Sequence, residues 1–413
     1  MYLSTYQLSK KKERLFLLSL FTISIIIRIP VVLITGDTSL ENEWEILVNN
    51  LINHKILAYN YYDANLDEFL FPTIWMPPFY AYYLYFYSFF NLAIENYIQL
   101  ILFSQILFSS LSVVIFYEIN KIFFSQRLSF FSSILFSIIP INLYACGQIS
   151  SATLQVFFTI LFYFLFLRFL KNNNFVSIIY LSIVSGLLIL LRGEFVAIFF
   201  TSILLLFFLF KESYKKIILI FLIALITTSP YLIRNIIVFE KITITKSSGY
   251  NLWKGNNPKA DVEGYSQIEN ELKEKIKLIP KNRNYGIAFD NIFKEQAMKN
   301  IKEDPKKYFN LFVKKFISFL FIDVNSSHSK YYDPLHYIPV LLLSITSLTG
   351  IILSNKKSKK LNYLIIIFFI NIIIFSCFFI LPRYKLAIIP LQIIFTNILI
   401  TYIKNKFFHR NEY

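Results

Sequence analysis

Residues 216–235 read KIILIFLIALITTSPYLIRN, and residues 248–258 read SGYNLWKGNNP. The first stretch is an apolar run of the length that crosses a bilayer, which takes about 20 residues. The second is a polar, turn-rich loop with aromatic residues, placed shortly after that run. In a chain that otherwise consists mostly of apolar helices, such a loop predicts a binding function on one side of a membrane.

The composition of the whole chain also indicates a membrane protein. Of its 413 residues, 56% are hydrophobic and 19% aromatic, and the mean hydropathy is +0.55. These values lie outside the range of soluble domains. The net charge of +16 would suggest nucleic acid in a soluble protein. Here, however, Lys and Arg gather in short clusters between apolar runs, as they do in cytoplasmic loops, so we exclude a nucleic-acid partner.

The cysteines and histidines of the sequence do not indicate a metal site or a disulfide bond. Cys146 and Cys377 both lie at or in apolar runs, which excludes a disulfide framework and a cysteine-based metal site. The four histidines are scattered, without a helical pair or zinc spacing. The sequence therefore predicts no metal ligands from these residue types.

The fold class follows from the apolar runs. About ten of them could cross a bilayer, near residues 15–34, 97–119, 128–145, 149–169, 175–191, 193–210, 216–235, 336–354, 361–381 and 385–403. Basic clusters fall on one side when these runs alternate, and both termini are then cytoplasmic. The prediction is an all-α, multi-pass protein of the inner or plasma membrane.

This alternation leaves two long segments on the outer face, residues 35–96 and 236–335. The chain then divides into an N-terminal transmembrane module (1–235), an outer-face loop (236–335) and C-terminal transmembrane helices (336–413). Apolar stretches at 77–92 and 308–322 would break the charge pattern if they crossed the bilayer. They are rich in Tyr and Phe and are predicted to be helices lying at the outer interface.

The first outer segment begins with carboxylates. Asp37, Glu41 and Glu43 are candidate general bases, because a carboxylate can accept a proton from an acceptor hydroxyl or amine near neutral pH. The alternative is a solvated first turn of a helix, where acidic residues are favoured by the helix dipole.

Basic residues recur at the outer ends of the runs. A guanidinium suits a bidentate grip on phosphate, and unpaired basic residues ordinarily gather on the inner side. The alternative for each single arginine is contact with lipid headgroups. Together they indicate an anionic ligand at the outer face, with candidate phosphate-binding residues Arg192, Arg234, Lys254 and Arg383.

Ordered motifs along the chain resemble the bacterial GT-C membrane glycosyltransferases related to protein mannosyltransferases and aminoarabinose transferases. The motifs are the acidic stretch followed by Trp44–Leu51, the junction Trp75–Tyr80, Ser229–Asn235 leading into Gly249–Pro258, and Leu381–Leu386. The third is the most specific, and the resemblance runs over nearly the whole length.

The resemblance implies a GT-C bundle whose enzymes take a sugar from a polyprenyl-phosphate carrier and transfer it at the outer or periplasmic face. An acidic residue of the first outer loop would be the base, with Glu41 or Asp37 favoured and Glu43 next. Basic residues near later corners would hold the carrier phosphate. Outer-face residues expected to contact substrate are Tyr250, Asn251, Trp253, Asn256, Gln148 and Tyr384.

One position departs from the family pattern. The family often has a second acidic residue in a run like Gly-Gln-Ile-x-Ser-acid-Thr-Leu, and this chain has Ala152 at the acidic position, after Gly147 and Gln148. The departure puts a divalent cation, or acceptor positioning, at that corner in doubt.

The function expected from sequence is an inverting membrane glycosyltransferase of the cell envelope. Its donor is a polyprenyl-phosphate sugar and its acceptor a lipid, a glycan or a protein. The alternatives are a flippase or permease for lipid-linked or anionic solutes, and a ligase or polymerase of surface glycans. A transporter built from inverted repeats would show broken spans in matching positions of two halves, and this chain shows none.

Overall fold

The computed structural model describes residues 10–40, 43–62, 68–326, 333–354 and 358–408. Helices dominate this part of the chain, and its one described sheet is a two-stranded hairpin. Strands β1 (Ala58–Tyr62) and β2 (Glu68–Pro72) pair antiparallel, with Ala58 opposite Pro72. The all-α class predicted from the apolar runs is confirmed.

The helices, numbered in chain order, have the following bounds. They are α1 Lys10–Thr35, α2 Glu43–His54, α3 Pro78–Ser88, α4 Ile94–Asn120, α5 Gln126–Ile138, α6 Pro140–Gly147, α7 Ala152–Asn172, α8 Phe175–Leu191, α9 Phe195–Phe208, α10 Tyr214–Phe239, α11 Ser248–Gly255, α12 Asn270–Lys277, α13 Tyr285–Glu303, α14 Pro305–Leu320, α15 Pro334–Leu353, α16 Lys359–Ser376 and α17 Ile389–Phe408. A 3-10 turn, Pro382–Ala387, precedes α17.

Each apolar run of the sequence is helical, but not every helix has spanning length. Glu13–Thr35, α4, α7, α10 and α16 are long and apolar enough to cross a membrane. The pair α5–α6, bent by 52°, makes a sixth candidate if it counts as one span. The bend falls at Pro140, which lacks the N–H that would continue the helix. Apolar but shorter helices are α8, α9 and Tyr337–Leu353.

The helices pack around one large apolar core that also contains a buried arginine. The Arg28 side chain on α1 donates to Ser109 Oγ of α4 at 2.8 Å and to Ser137 Oγ of α5 at 3.0 Å. Arg28 is 0% exposed. A polar group at this depth is costly unless it is hydrogen-bonded, and these bonds tie α1 to two neighbouring helices.

Helices α15 and α17 pack closely at a glycine. A Cβ placed on Gly350 of α15 would lie 2.0 Å from the Phe395 carbonyl oxygen of α17. Backbone atoms cannot retreat as a flexible side chain can. Only glycine therefore allows these helices to pack at this distance.

We expect Gly350→Ala to destabilise the protein by about 1–3 kcal/mol, the usual cost of overpacking. The matched control is Leu342→Ala on the same helix, because the Leu342 side chain is 58% exposed. Thermal unfolding in detergent, followed by circular dichroism, would measure both variants. An alanine variant as stable as the wild type would contradict this close approach of α15 and α17.

The two long segments, residues 35–96 and 236–335, contain helices α2, α3 and α11 to α14. Helix α3 falls within the predicted 77–92 stretch, and α14 overlaps the predicted 308–322 stretch. The second segment has a small core of its own, built from Trp253, Leu272, Phe293 and Ala297. The domain boundaries at 235 and 335 stay a proposal.

Helix α10 and the residues that follow it form hydrogen bonds with the first long segment. Arg234 donates to the Thr73 carbonyl at 3.0 Å and to the Leu57 carbonyl at 3.1 Å. Further along, the Lys246 N–H donates to the Ile74 carbonyl at 2.7 Å, and Thr245 Oγ1 donates to the Trp75 carbonyl at 2.7 Å. The first outer segment is thus fixed by Arg234 near the end of α10 and by residues that follow this helix.

Candidate functional site

The carboxylate of Asp37 lies against the corner between α6 and α7. Helix α1 ends at Thr35, and the Asp37 N–H donates to the Gly147 carbonyl at 2.9 Å. Asp37 Oδ2 accepts the Ile149 N–H at 2.6 Å. A Cβ on Gly147 would lie 3.2 Å from the Gly36 Cα, so this close approach favours glycine.

Side chains from α4, α3 and α2 connect to the same corner through a series of contacts. Gln148 Nε2 donates to the Thr35 carbonyl at 3.0 Å, and the Gln148 carbonyl accepts from Gln105 Nε2 at 3.0 Å. Tyr80 of α3 donates its hydroxyl to Gln105 Oε1 at 3.1 Å. The centre of the Trp44 ring of α2 lies 4.8 Å from the centre of the Tyr80 ring. The motifs at Trp44, Tyr80 and Gln148 therefore converge in space.

The electrostatics of Tyr80 also indicate that Asp37 is near. Burial raises the pKa of Tyr80 well above its usual value, and the neighbouring Tyr83 and Asp37 raise it further. A phenol close to a carboxylate is harder to ionise because the second negative charge is unfavourable. Tyr80 thus stays neutral beside Asp37.

The other two candidate bases are placed differently. Glu43 is the first residue of α2 and is half-buried, in the position where a helix dipole favours an acid. Its carboxylate has no hydrogen bond or ion pair within the described residues. Glu41 lies outside the described residues. Of the two described candidates, Asp37 is the one attached to the corner.

Arg192 contacts the far end of the same corner. Its Nε donates to Glu194 Oε1 at 2.7 Å, and its Nη1 donates to Ser151 Oγ at 3.2 Å. Burial acts to lower the pKa of Arg192, but the Glu194 carboxylate outweighs it and the pKa is raised. Asp37 and Arg192 thus both contact the corner, at Ile149 and Ser151 respectively.

Lys254, Arg383 and Tyr384 come together near Arg192. The Lys254 ammonium lies 4.5 Å from the centre of the Phe379 ring, and the Tyr384 ring stacks on Phe375 at 4.9 Å. Burial lowers the pKa of Lys254, and the charge of Arg383 lowers it further. Burial raises the pKa of Tyr384, whereas Arg192 and Arg383 oppose that shift. We call Arg192, Lys254 and Arg383 the basic cluster.

Arg234, the fourth candidate for phosphate, points elsewhere. Its guanidinium donates to the Thr73 and Leu57 carbonyls and, at 2.8 Å, to Asn235 Oδ1. The Tyr231 and Phe239 rings flank it. Its donors are thus used in joining α10 to the first outer segment.

We expect Arg234→Met to lower the free energy of unfolding by about 2 kcal/mol, because two backbone carbonyls lose their donor. Arg283→Met is the control, since Arg283 pairs with the exposed Glu240 at 2.5 Å. Thermal unfolding would measure the first effect, and donor binding by the folded variant would measure a direct role. Weakened binding with unchanged stability would restore Arg234 as a phosphate ligand.

Residues 248–258 were expected to be a loop, but Ser248–Gly255 form helix α11, and the contacts of this segment are mostly structural. Trp253 is 1% exposed in the small outer core, and the buried Asn256 donates to the Leu252 carbonyl at 2.8 Å and to the Cys377 carbonyl at 2.9 Å. The Tyr250 ring contacts the Trp75 ring at 5.6 Å, while Asn251 is half-buried. Through these contacts the segment positions Lys254.

Two residues that support the site, Asp290 and Glu194, were not among the predicted site residues. Asp290 Oδ1 accepts the Tyr250 N–H at 2.9 Å and so holds the start of α11. Burial raises the pKa of Asp290, although the hydrogen bond from the Tyr250 N–H acts to lower it. Glu194 orients Arg192, and its place two residues after an arginine gave only a weak indication of this role.

The donor set at the corner does not fit a metal ion. The described residues hold no group of three or more His, Cys, Asp or Glu side chains able to bind one. Ala152 stands where the family pattern has an acid. Asp37 is then the one described carboxylate in contact with the corner.

Residues 76–233 match the family model described as dolichyl-phosphate-mannose-protein mannosyltransferase. This stretch includes α3 through most of α10, and therefore the corner and Arg192. No curated protein sequence matches the chain.

Solved structures with a similar fold include the oligosaccharyltransferase AglB from Archaeoglobus fulgidus. In complex with an inhibitory peptide and a dolichol-phosphate, it superposes with a TM-score of 0.57 at 13% identity, over 95% of this chain and 51% of that one. Its complex with Zn and sulfate gives 0.55 at 14% identity, over 95% and 50%. The chain thus spans about half the length of AglB.

A weaker similarity links the chain to ArnT from Cupriavidus metallidurans bound to undecaprenyl phosphate. The TM-score is 0.45 at 10% identity, over 92% of this chain and 77% of that one, too low to establish a shared fold by itself. The AglB superposition covers nearly the whole chain, and the family match covers the part that holds the corner. The chain therefore shares the fold of AglB, and its residues 76–233 match the mannosyltransferase family model.

Proposed function

We propose that this protein transfers a sugar from a polyprenyl-phosphate donor to a lipid, glycan or protein acceptor at the outer face of the membrane. One observation carries the proposal. The Gly147–Ala152 corner contacts the Asp37 carboxylate through Ile149 and the basic cluster through Ser151. Sugar transfer from a phosphate carrier needs these two groups near each other, one for the acceptor proton and one for the phosphate.

In the proposed reaction, Asp37 accepts the proton of the acceptor hydroxyl or amine. Asp37 Oδ2 is held by the Ile149 N–H, and Oδ1 has no hydrogen-bond partner among the described residues, so it is available to an acceptor. As the proton moves to Asp37, the acceptor atom attacks the anomeric carbon from the face opposite the phosphate. The bond to the phosphate oxygen breaks with its electron pair, and the configuration inverts.

The basic cluster would receive the leaving phosphate. Arg192 is oriented by Glu194, and Lys254 lies close enough to Arg383 for their charges to repel. Repulsion between like charges is relieved when an anion binds to both. A guanidinium that is already oriented also loses little freedom on binding. The cluster is therefore suited to a polyprenyl phosphate, an already good leaving group.

Topology and cofactor use belong to the same proposal. Both termini would be cytoplasmic, with the corner and the basic cluster on the periplasmic or outer side. A divalent cation remains a proposal as well, supported by the zinc and sulfate complex of AglB. Because the described donor set does not fit a metal ion, no step of the reaction is assigned to one.

The test is sugar transfer by the purified protein in liposomes. Radiolabelled polyprenyl-phosphate monosaccharides and polyprenyl-linked long glycans would be supplied one at a time, with an acceptor extract from cell envelopes. Transfer from one donor is expected, and the configuration of the product would be read by a linkage-specific glycosidase. No transfer, combined with carrier lipid moving between leaflets, would favour the flippase. Transfer only from long glycan donors would favour the ligase or polymerase.

A further inference from the structure

Two lysines are deeply buried in the described part of the chain. Lys315 of α14 is 0% exposed and Lys385 of the 3-10 turn is 2% exposed. Neither forms an ion pair within the described residues. Burial lowers the pKa of each to about 7. Such groups are expensive to bury and need a compensating set of acceptors.

Both ammonium groups find their acceptors at helix C-terminal ends. Lys315 Nζ donates to the carbonyl of Gly255, the last residue of α11, at 2.6 Å. Lys385 Nζ donates to the carbonyls of Ser318, Phe319 and Phe321, at the end of α14, at 3.0, 2.6 and 2.5 Å. The last carbonyls of a helix lack intrahelical donors and carry partial negative charge, so a cation is favoured there.

These two contacts join the elements that carry the basic cluster. Lys254 precedes Gly255 at the end of α11, and Arg383 lies two residues before Lys385 in the 3-10 turn. Helix α14 connects them, because it supplies Lys315 to one element and accepts Lys385 from the other. The described contacts of α14 therefore reach both sides of the cluster.

We propose that Lys315 and Lys385 are positioning residues for the donor phosphate, fixing α11 and the 3-10 turn on α14 so that Lys254 and Arg383 face the same anion. This inference rests on the proposed function, because it gives these lysines a role in the same site. Neither lysine contacts the donor itself, since both ammonium groups are buried and engaged with carbonyls.

A role in general stability is the competing explanation, and a double-mutant cycle separates the two. If Lys385 acts through Arg383, removing it matters only while Arg383 is present, and the double variant binds no more weakly than Arg383→Gln alone. If Lys385 contributes independently, the two effects on affinity multiply.

The experiment measures binding of undecaprenyl phosphate by the full chain in phosphatidylcholine nanodiscs. Arg383→Gln and Lys385→Met are each expected to raise the Kd about tenfold, the scale of one coupled contact. The double variant is expected to match Arg383→Gln to within about twofold. Lys306→Met is the matched control, because Lys306 is exposed on the same helix.

A second double-mutant cycle, with Lys315→Met and Lys254→Gln, tests the contact between α14 and α11. It replaces the first cycle if Lys385→Met does not fold. If Lys385→Met binds normally while Arg383→Gln binds weakly, the inference is overturned and the proposed function stands. The same holds if the effects of the two substitutions on Kd multiply in the double variant. Normal binding by Arg383→Gln and Lys254→Gln would overturn the donor site, and the inference with it.

Discussion

Asp37→Asn is expected to reduce sugar transfer by about 10²–10⁴-fold, the usual contribution of a general base. An asparagine keeps the size of the side chain, and its carbonyl oxygen can still accept the Ile149 N–H that Asp37 Oδ2 accepts at 2.6 Å. The corner should therefore keep its geometry while the proton acceptor is lost. Donor binding is expected to stay within about twofold, because Asp37 does not touch the phosphate in the proposed reaction.

The measurement compares single-turnover transfer rates and donor Kd values for Asp37→Asn, Glu41→Gln and Glu43→Gln. Glu45→Gln is the control, because Glu45 is an exposed residue of α2 with no proposed role. Loss of transfer in Glu41→Gln with normal rates in Asp37→Asn would move the base to Glu41. Full activity in all three variants would remove the general base from the proposal.

Arg192→Gln is expected to weaken donor binding by about 10²-fold, since a charge-assisted, partly buried contact to an anion is worth several kcal/mol. Two effects act together. The phosphate loses a guanidinium, and Glu194 loses the partner that it contacts at 2.7 Å. An unpaired carboxylate beside the phosphate then repels it.

A second variant resolves these two effects. Arg192→Gln combined with Glu194→Gln removes the repulsion and should recover part of the affinity, about tenfold. Arg168→Gln is the control for a general loss of positive charge, because Arg168 is an exposed residue of α7. Equal donor affinities in the wild type and Arg192→Gln would contradict a phosphate contact at Arg192.

The apolar runs and the motifs predicted much of the fold and part of the site. The runs are mainly helical, although the run at 128–145 is divided into α5 and α6, because backbone groups in a bilayer must be hydrogen-bonded within the protein. The runs did not predict which helices stop short. The turn at Arg192 divides the apolar sequence into α8 and α9, each below spanning length.

Residue types that imply a chemistry led the sequence analysis to Asp37 and Arg192. The structure places both against the corner between α6 and α7, and their roles stay predictions. Trp253 and Asn256 were expected to contact substrate, and the structure buries both side chains. A tryptophan in a polar loop suits a small core as well as a ligand, and sequence does not separate these roles.

The roles of Lys315 and Lys385 could not be predicted from the sequence. In the sequence they read as two lysines among many. Their significance depends on which carbonyls they meet, and those carbonyls belong to residues about 60 positions away along the chain. Periodicity and motif spacing contain no information about such contacts, because a helix end accepts a cation from any part of the chain.

The hydrogen bonds of Arg234 also bear on the order in which the protein can be completed during synthesis. Thr73 precedes Arg234 by 161 residues and Leu57 precedes it by 177. At about 5–20 residues per second, the ribosome needs roughly 8–32 s to add the intervening chain after Thr73. During that interval the hairpin segment lacks this hydrogen-bond donor. A nascent chain arrested before Arg234 emerges should therefore expose the hairpin to protease, and one arrested after Phe239 has left the insertion machinery should protect it.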